Sequence, residues 1–261
     1  MTTENNHPLI AVDIGNSRVK LGLFERVSGA PLPEPAKILD IGPGPDELAR
    51  IRTWLPEQDV TRPAWWIGSV QREVSGRLVA WLQSAGASRI TMISSADLPL
   101  TVSMPKPDRV GIDRLLDAVA VNQLRVAGQP AIIVNLGTAI KVDVVDTSGA
   151  FVGGSIMPGI ATSARAMHEF TDLLPLVEMW KLDEPPSPLG KDTIGAMQSG
   201  LFWGAVGGVR ELIDRLSGAF ATRPTIVLSG GAAPSVARLL AEDVQYVPHL
   251  TLAGIALTAQ R

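Results

Sequence analysis

The sequence predicts an α/β protein made of two related lobes, each a mixed sheet flanked by helices. Two observations predict it. A glycine-centred turn occurs twice, as Asp13-Ile14-Gly15-Asn16-Ser17 and, 122 positions on, as Asn135-Leu136-Gly137-Thr138-Ala139. Around each turn the same order of elements is legible: strand, strand, strand, helix, strand, helix.

Each turn follows an apolar run, Leu9 to Val12 or Ala131 to Val134, and leads into alternating apolar residues, Val19, Leu21, Leu23 or Ile140, Val142, Val144. That pattern reads as a hairpin. A turn of Gly with small hydroxyl or amide residues lets backbone N–H groups approach an anion closely, so phosphate is the natural guest. One such turn is ordinary hairpin chemistry; the pair is the informative feature.

The first strand pair, Pro8 to Phe24, gives way to a Pro/Gly-rich connection from Ser28 to Pro45 and a short helix from Asp46 to Leu55, with Asp46 as its N-cap. Ala64 to Val70 reads as a buried strand, Arg72 to Ser84 as an amphipathic helix, and Arg89 to Ile93 as a strand. Ser103 to Arg109 holds Pro105 and Pro107 and is expected as a loop running into the helix Ile112 to Val126. The second hairpin gains a third strand, Ala150 to Met157. A helix to about Phe170, a Pro-rich stretch through Pro188 and a long helix from Asp192 to Leu216 come next. Thr225 to Leu228 (strand), Pro234 to Ala241 (helix), Val244 to Val247 (strand) and His249 to Gln260 (helix) close the chain. The lobes are expected as residues 1–115 and 116–261, with a cleft between them.

Composition narrows the function. The chain has 261 residues, 46% of them hydrophobic and 19% charged, enough apolar material for packed cores. The formal net charge of -3, with both signs interspersed, argues against nucleic acid or an anionic membrane as partner. Without cysteine there is no disulfide framework and no thiolate metal site, which fits a cytoplasmic location. His7, His168 and His249 lack metal-ligand spacing. The segment Met1 to His7 is polar and unlike a signal peptide. The charge-free stretches Thr147 to Ala164 and Thr193 to Val209 are broken by polar residues, Gly or Pro, and read as buried core rather than membrane spans. There is no G-x-x-x-x-G-K-[ST] loop, G-x-S-x-G elbow or H-E-x-x-H helix.

Five segments in order carry a resemblance: DIGNSRVK (Asp13 to Lys20), P-x-x-V-G-I-D-R (Pro107 to Arg114), NLGTA (Asn135 to Ala139), GGSIMPGI (Gly153 to Ile160) and LSGG (Leu228 to Gly231). Together they resemble the type III pantothenate kinases, members of the acetate and sugar kinase, Hsp70 and actin superfamily. The resemblance covers nearly the whole chain and implies duplicated actin-like (ribonuclease H-like) lobes. The G-x-D-R element discriminates, because the turns belong to the whole superfamily.

The resemblance implies ATP-dependent phosphorylation of pantothenate. Asp13 would lie near the Mg2+ that accompanies ATP, through water, while Ile14, Gly15, Asn16, Ser17, Arg18, Val19 and Lys20 cradle the phosphates and Thr138 touches them from the second turn. Gly230 and Gly231 match the superfamily's adenosine element. Asp113 would be the general base, with Gly111, Ile112, Arg114, Thr193 and Met104 about the substrate. Each has an ordinary structural alternative: Asp113 also suits the first turn of a helix, where the dipole favours a carboxylate, and Arg114 has Asp117 at i+3 for an ion pair.

Two positions depart from the family. Asn135 replaces the aspartate associated with a required monovalent cation, K+ or NH4+, which puts that requirement in question. Met104, seven residues before Gly111, replaces a tyrosine near the substrate. The family is typically dimeric, so a homodimer is expected. The alternatives are another small-molecule kinase of the superfamily, or a non-catalytic regulator on the same fold.

Overall fold

The computed structural model describes residues 8–25, 31–55, 62–179, 184–240 and 243–260. The polar start Met1 to His7, residues 180–183 of the Pro-rich stretch and Ala241 lie outside them. The chain divides into two units, one of residues 1–100, 105–124 and 250–261, the other of residues 101–104 and 125–249.

In the first unit β1 (Leu9–Ile14), β2 (Val19–Phe24) and β3 (Lys37–Ile41) form an antiparallel meander; β4 (Ala64–Ser69) and β5 (Ile90–Met92) then add parallel to β1. The sheet order is β3-β2-β1-β4-β5. Strand alternation sends Ile10, Val12, Ile14, Val19, Leu21 and Leu23 to one face. There they meet Val74, Leu78 and Leu82 of α3 (Arg72–Ser84), and Leu48, Ile51 and Trp54 of α1 (Pro45–Leu48) and α2 (Ile51–Trp54).

The stretch Asp46 to Leu55, expected as one helix, is thus two. The N–H groups of Arg50 and Arg52 bond three residues back, to Glu47 and Ala49, which tightens the chain between them. Gly44 is the N-cap and Pro45 the first helical residue, where its missing N–H costs nothing.

The opposite face of this sheet carries Gly22 and Gly68. A Cβ on Gly68 would lie 2.7 Å from Leu116 of α4 (Ile112–Leu124), and one on Gly22 would lie 3.1 Å from Leu252 of α8 (Leu250–Ala259). The helices α4 and α8 touch through Gly254, whose Cβ would fall 2.1 Å from the Leu116 carbonyl oxygen. The expected boundary between residues 115 and 116 therefore differs from the observed division: all of α4 and the C-terminal α8 belong with the first sheet. The physical reason is burial. Nearly every residue of α8 is buried, leaving it no polar face.

The second unit repeats the plan. Strands β6 (Ala131–Leu136), β7 (Ala139–Val145) and β8 (Phe151–Pro158) form the meander, and β9 (Thr225–Ser229) and β10 (Gln245–Tyr246) add parallel, in the order β10-β9-β6-β7-β8. Ile132, Val134, Leu136, Ile140 and Val142 pack against α5 (Ile160–Glu169), α6 (Thr193–Ser217) and α7 (Ala233–Ala237). Residues 101–104 join this unit because Thr101 and Ser103 hydrogen-bond Phe151 of β8. Both sheets run third-second-first-fourth-fifth in strand order, so the duplication read from two turns extends to whole lobes.

Candidate active site

In the first hairpin, Gly15 to Arg18 link β1 and β2, and the Gly15 N–H donates to the Arg18 carbonyl at 3.0 Å. Asn16 and Ser17 are exposed. Ile14 and Val19 are wholly buried in the core, so their side chains are out of a ligand's reach. Arg18 turns to Asp40 of β3, Nε to Oδ1 at 2.8 Å, in an exposed pair. Asp13 and Lys20 stand directly opposite each other in the ladder and share the sheet face that carries Gly68 and Gly22.

A short relay joins this turn to the G-I-D-R segment. The Val70 N–H, just past β4, donates to the Ile14 carbonyl at 3.0 Å. A Cβ on Gly111 would touch Val70 Cγ1 at 3.7 Å and collide with Asp113 Oδ1 at 2.7 Å. The first turn and Asp113 therefore stand at the same end of the first unit. Glycine at 111 is what leaves room for the carboxylate, whose Oδ1 accepts the Arg114 N–H at 2.9 Å. Asp117, at i+3 from Arg114, is 1% exposed and accepts the Thr251 hydroxyl of α8 at 2.7 Å.

The second unit gathers its own segments. Gly137 N–H donates to Ala139 O at 3.2 Å, closing the second turn. The Thr138 carbonyl accepts from Gly159 N–H at 3.0 Å and from Thr162 Oγ1 at 2.6 Å. A Cβ on Gly159 would fall 2.1 Å from Gly137 O. Gly230, at φ +100°, lies against the start of the same turn, where a Cβ would meet Leu136 O at 2.5 Å. Gly231 faces open space. The second turn, the GGSIMPGI segment and the LSGG turn thus converge at close backbone approaches that only glycine permits.

A hollow of about 530 Å3 in the second unit is lined by Met167, Leu174, Gly190 to Thr193, Ala196 and Met197. It opens at the start of α6, which Asp192 caps by accepting the Gly195 N–H at 2.7 Å. Thr193 is exposed there. Gly190 is packed so closely that a Cβ would sit 2.1 Å from Ala196 N. Met104 rests elsewhere in this unit, its Sδ 3.2 Å from a Cβ built on Gly153.

Sequence reasoning missed Gly159 and Thr162 as individual site residues. Glycine followed three positions later by threonine at a helix start is a faint signal, because it also fits ordinary helix initiation. Among the described residues no group of three or more His, Asp or Glu is placed to hold a metal, and no helix is long and apolar enough to cross a membrane.

Paired mixed sheets with glycine turns at the strand ends define the class: the actin-like ATPase and sugar kinase fold. Comparison with solved structures agrees. A protein of Campylobacter jejuni described as a conserved Baf family transcriptional activator superposes with a TM-score of 0.60 at 16% identity, covering 97% of this chain and 98% of its own. The activator of the 2-hydroxyisocaproyl-CoA dehydratase from Clostridium difficile, with bound ADPNP, gives 0.52 at 15% identity over 97% and 93%. At those identities the likeness is one of fold.

The family is narrower. The model of the type III pantothenate kinases matches residues 9–215. A type III pantothenate kinase of Dehalococcoides mccartyi is 32% identical over 97% of both chains, and that of Acidiphilium cryptum 38% identical over 172 residues. The latter match covers 65% of this chain and 63% of the relative, so it spans less than two thirds of that protein's length. The chain belongs to the type III pantothenate kinase family.

Proposed function

We propose that this chain transfers the γ-phosphoryl group of ATP to the primary hydroxyl of pantothenate, giving 4'-phosphopantothenate at the first step of coenzyme A synthesis. Besides family membership, one observation carries the reading: the Ile14–Val70–Gly111 relay, which sets the Asp113 carboxylate at the same end of its unit as the first phosphate turn.

Asp113 accepts the proton of the attacking hydroxyl, a contribution on the order of 10²–10⁴-fold. The rest is positioning and charge stabilisation, as in other phosphoryl transfers. Backbone N–H groups of Asn16, Ser17 and Arg18, the side chains of Asn16 and Ser17, and the Lys20 ammonium bind phosphate oxygens, while the Gly15 N–H closes the turn on the Arg18 carbonyl. Thr138 serves the phosphates from the second turn, and Gly230 with Gly231 admits the nucleoside. Arg114 pairs with the substrate carboxylate or with developing phosphoryl charge; Ile112, Thr193 and Met104 are substrate residues on the strength of the family resemblance alone. Arg18, held by Asp40, contributes backbone only.

A lone carboxylate, Asp13, suits magnesium, a hard cation that keeps most of its waters and rides with the phosphates. When bound, Mg2+ supplies charge neutralisation at the polyphosphate. A potassium or ammonium ion does not fit the second turn in the same way: Asn135 is a neutral amide, and the residue directly opposite it is Lys141.

The chain is proposed to work in the cytoplasm as a homodimer. Phe170, Leu173, Leu189 and Ile194, all exposed and close in sequence to the hollow's lining, support a covered surface there.

The test is a coupled ATPase assay with pantothenate, pantetheine and a panel of sugars. Turnover with pantothenate is expected. Turnover with a sugar alone would replace the substrate, and none with any would favour the regulator reading.

A further inference from the structure

A folded chain gives almost every buried hydroxyl a hydrogen-bond partner, because one left without costs stability. Among the described residues the buried hydroxyl side chains are Ser75, Ser199, Ser229, Thr251 and Thr258. Ser75 donates to the Arg72 carbonyl, Ser199 to that of Pro188, Thr258 to that of Gly254 and Thr251 to the Asp117 carboxylate, all at 2.7–3.0 Å. Ser229 is the exception. It is 4% exposed, and among the described residues none hydrogen-bonds its hydroxyl.

Ser229 is the last residue of β9, directly across from Asn135 of β6. Ile226 and Leu228 face the core packed by α5, α6 and α7, so strand alternation turns Ser229 to the opposite face, with Asn135. At this row that face borders the second glycine turn: Asn135 Oδ1 lies 3.6 Å from a Cβ built on Gly137. The next residue, Gly230, takes φ +100° and presses on Leu136, where a Cβ would fall 2.5 Å from the carbonyl oxygen. Strand β9 therefore ends with its serine held beside the turn by a backbone contact that only glycine allows.

The first unit treats the matching place differently. Gly68 of β4 stands across from Asp13 as Ser229 stands across from Asn135. A side chain is excluded there, since a Cβ on Gly68 would lie 2.7 Å from Leu116 of α4. The second unit keeps a side chain at that place, and a polar one.

We propose that the Ser229 hydroxyl is a phosphate-binding group, donating to a non-bridging oxygen of the polyphosphate that the second turn receives. A hydroxyl can donate or accept, and an anionic oxygen takes its proton in the stronger bond. The nucleotide then supplies the partner that the described protein does not. This rests on the ATP-dependent reaction proposed above and adds a side-chain donor at the start of the Gly230-Gly231 turn.

The test uses the full chain with ADP as the probe, its affinity measured with magnesium present and pantothenate absent. KM for ATP and for pantothenate are read separately from turnover. Because the hydroxyl has no partner among the described residues, Ser229→Ala should melt at or above wild type when ligand-free. Its affinity for ADP should fall on the order of 10-fold or more, and KM for ATP should rise to match, with KM for pantothenate unmoved. Ser229→Cys keeps the shape with a weak donor and should lose as much. The loss should be equal for 2'-deoxy-ADP, since a phosphate contact does not involve the ribose hydroxyl.

Native ADP affinity in the Ala variant overturns the proposal, and so does native affinity in the Cys variant, which would assign the effect to volume. A loss confined to ADP would move the contact to the ribose, and a lower ligand-free melting temperature would make the hydroxyl structural; each overturns it as well. Because ADP binding needs no turnover, a chain inactive on pantothenate would defeat the substrate assignment while the role of Ser229 was still decided.

Discussion

The Thr162 hydroxyl donates to the Thr138 carbonyl at 2.6 Å, tying the first turn of α5 to the second glycine turn. Gly159 N–H shares the same acceptor. Thr162 is exposed, so its replacement leaves the core untouched.

Thr162→Val should therefore raise KM for ATP by roughly 3- to 10-fold, the worth of one hydrogen bond, with kcat little changed and Thr162→Ser restoring the native value. Steady-state kinetics at saturating pantothenate checks it. Equal losses in the Val and Ser variants would assign Thr162 to packing instead.

The second prediction concerns the seat of α4. Thr251→Val removes a donor from the buried Asp117 carboxylate and should destabilise the chain by about 1–3 kcal/mol, with Thr251→Ser recovering most of it. Chemical denaturation measures the loss. Because α4 carries Asp113, kcat should fall in the Val variant while KM for ATP holds; unchanged stability would show that α8 does not secure the helix.

Much of this was legible in the sequence, for local physical reasons. Glycine turns after apolar runs announce hairpins, and both hairpins, α3 and α6 lie within a residue or two of where periodicity puts them. What was hidden depends on residues far apart in the chain. Nothing in the composition of α8 says which sheet will bury it, so its return to the first unit escaped notice. The pairing of Arg18 with Asp40 was equally hidden, because it follows from a β2–β3 register that a Pro/Gly-rich connection leaves unspecified. At the site, motifs located the segments, but the reason for Gly111 and Gly159 lies in neighbours that only coordinates supply.

Acid stability offers a third prediction. Burial alone would raise the Asp146 carboxyl, but hydrogen bonds from the Ser148 hydroxyl and from backbone N–H groups of the β7–β8 turn outweigh it and hold the group below the usual carboxylate range. A carboxyl lowered by folding adds stability that is complete above its unfolded value and lost as pH falls through its folded one. Asp146→Ala should thus destabilise the chain at neutral pH by less than about 1 kcal/mol, given its exposure. The gap from wild type should narrow as the medium is acidified below the model-peptide value of 3.8. A gap that stays constant into strong acid would exclude ionisation as its source.

The central claim is that a carboxylate at the first turn's end of its unit activates the substrate hydroxyl. It is tested most directly by kcat of Asp113→Asn with pantothenate and saturating ATP, alongside the ATP-induced thermal shift. The account predicts a kcat lowered on the order of 10²–10⁴-fold with the thermal shift intact; a native kcat would contradict it.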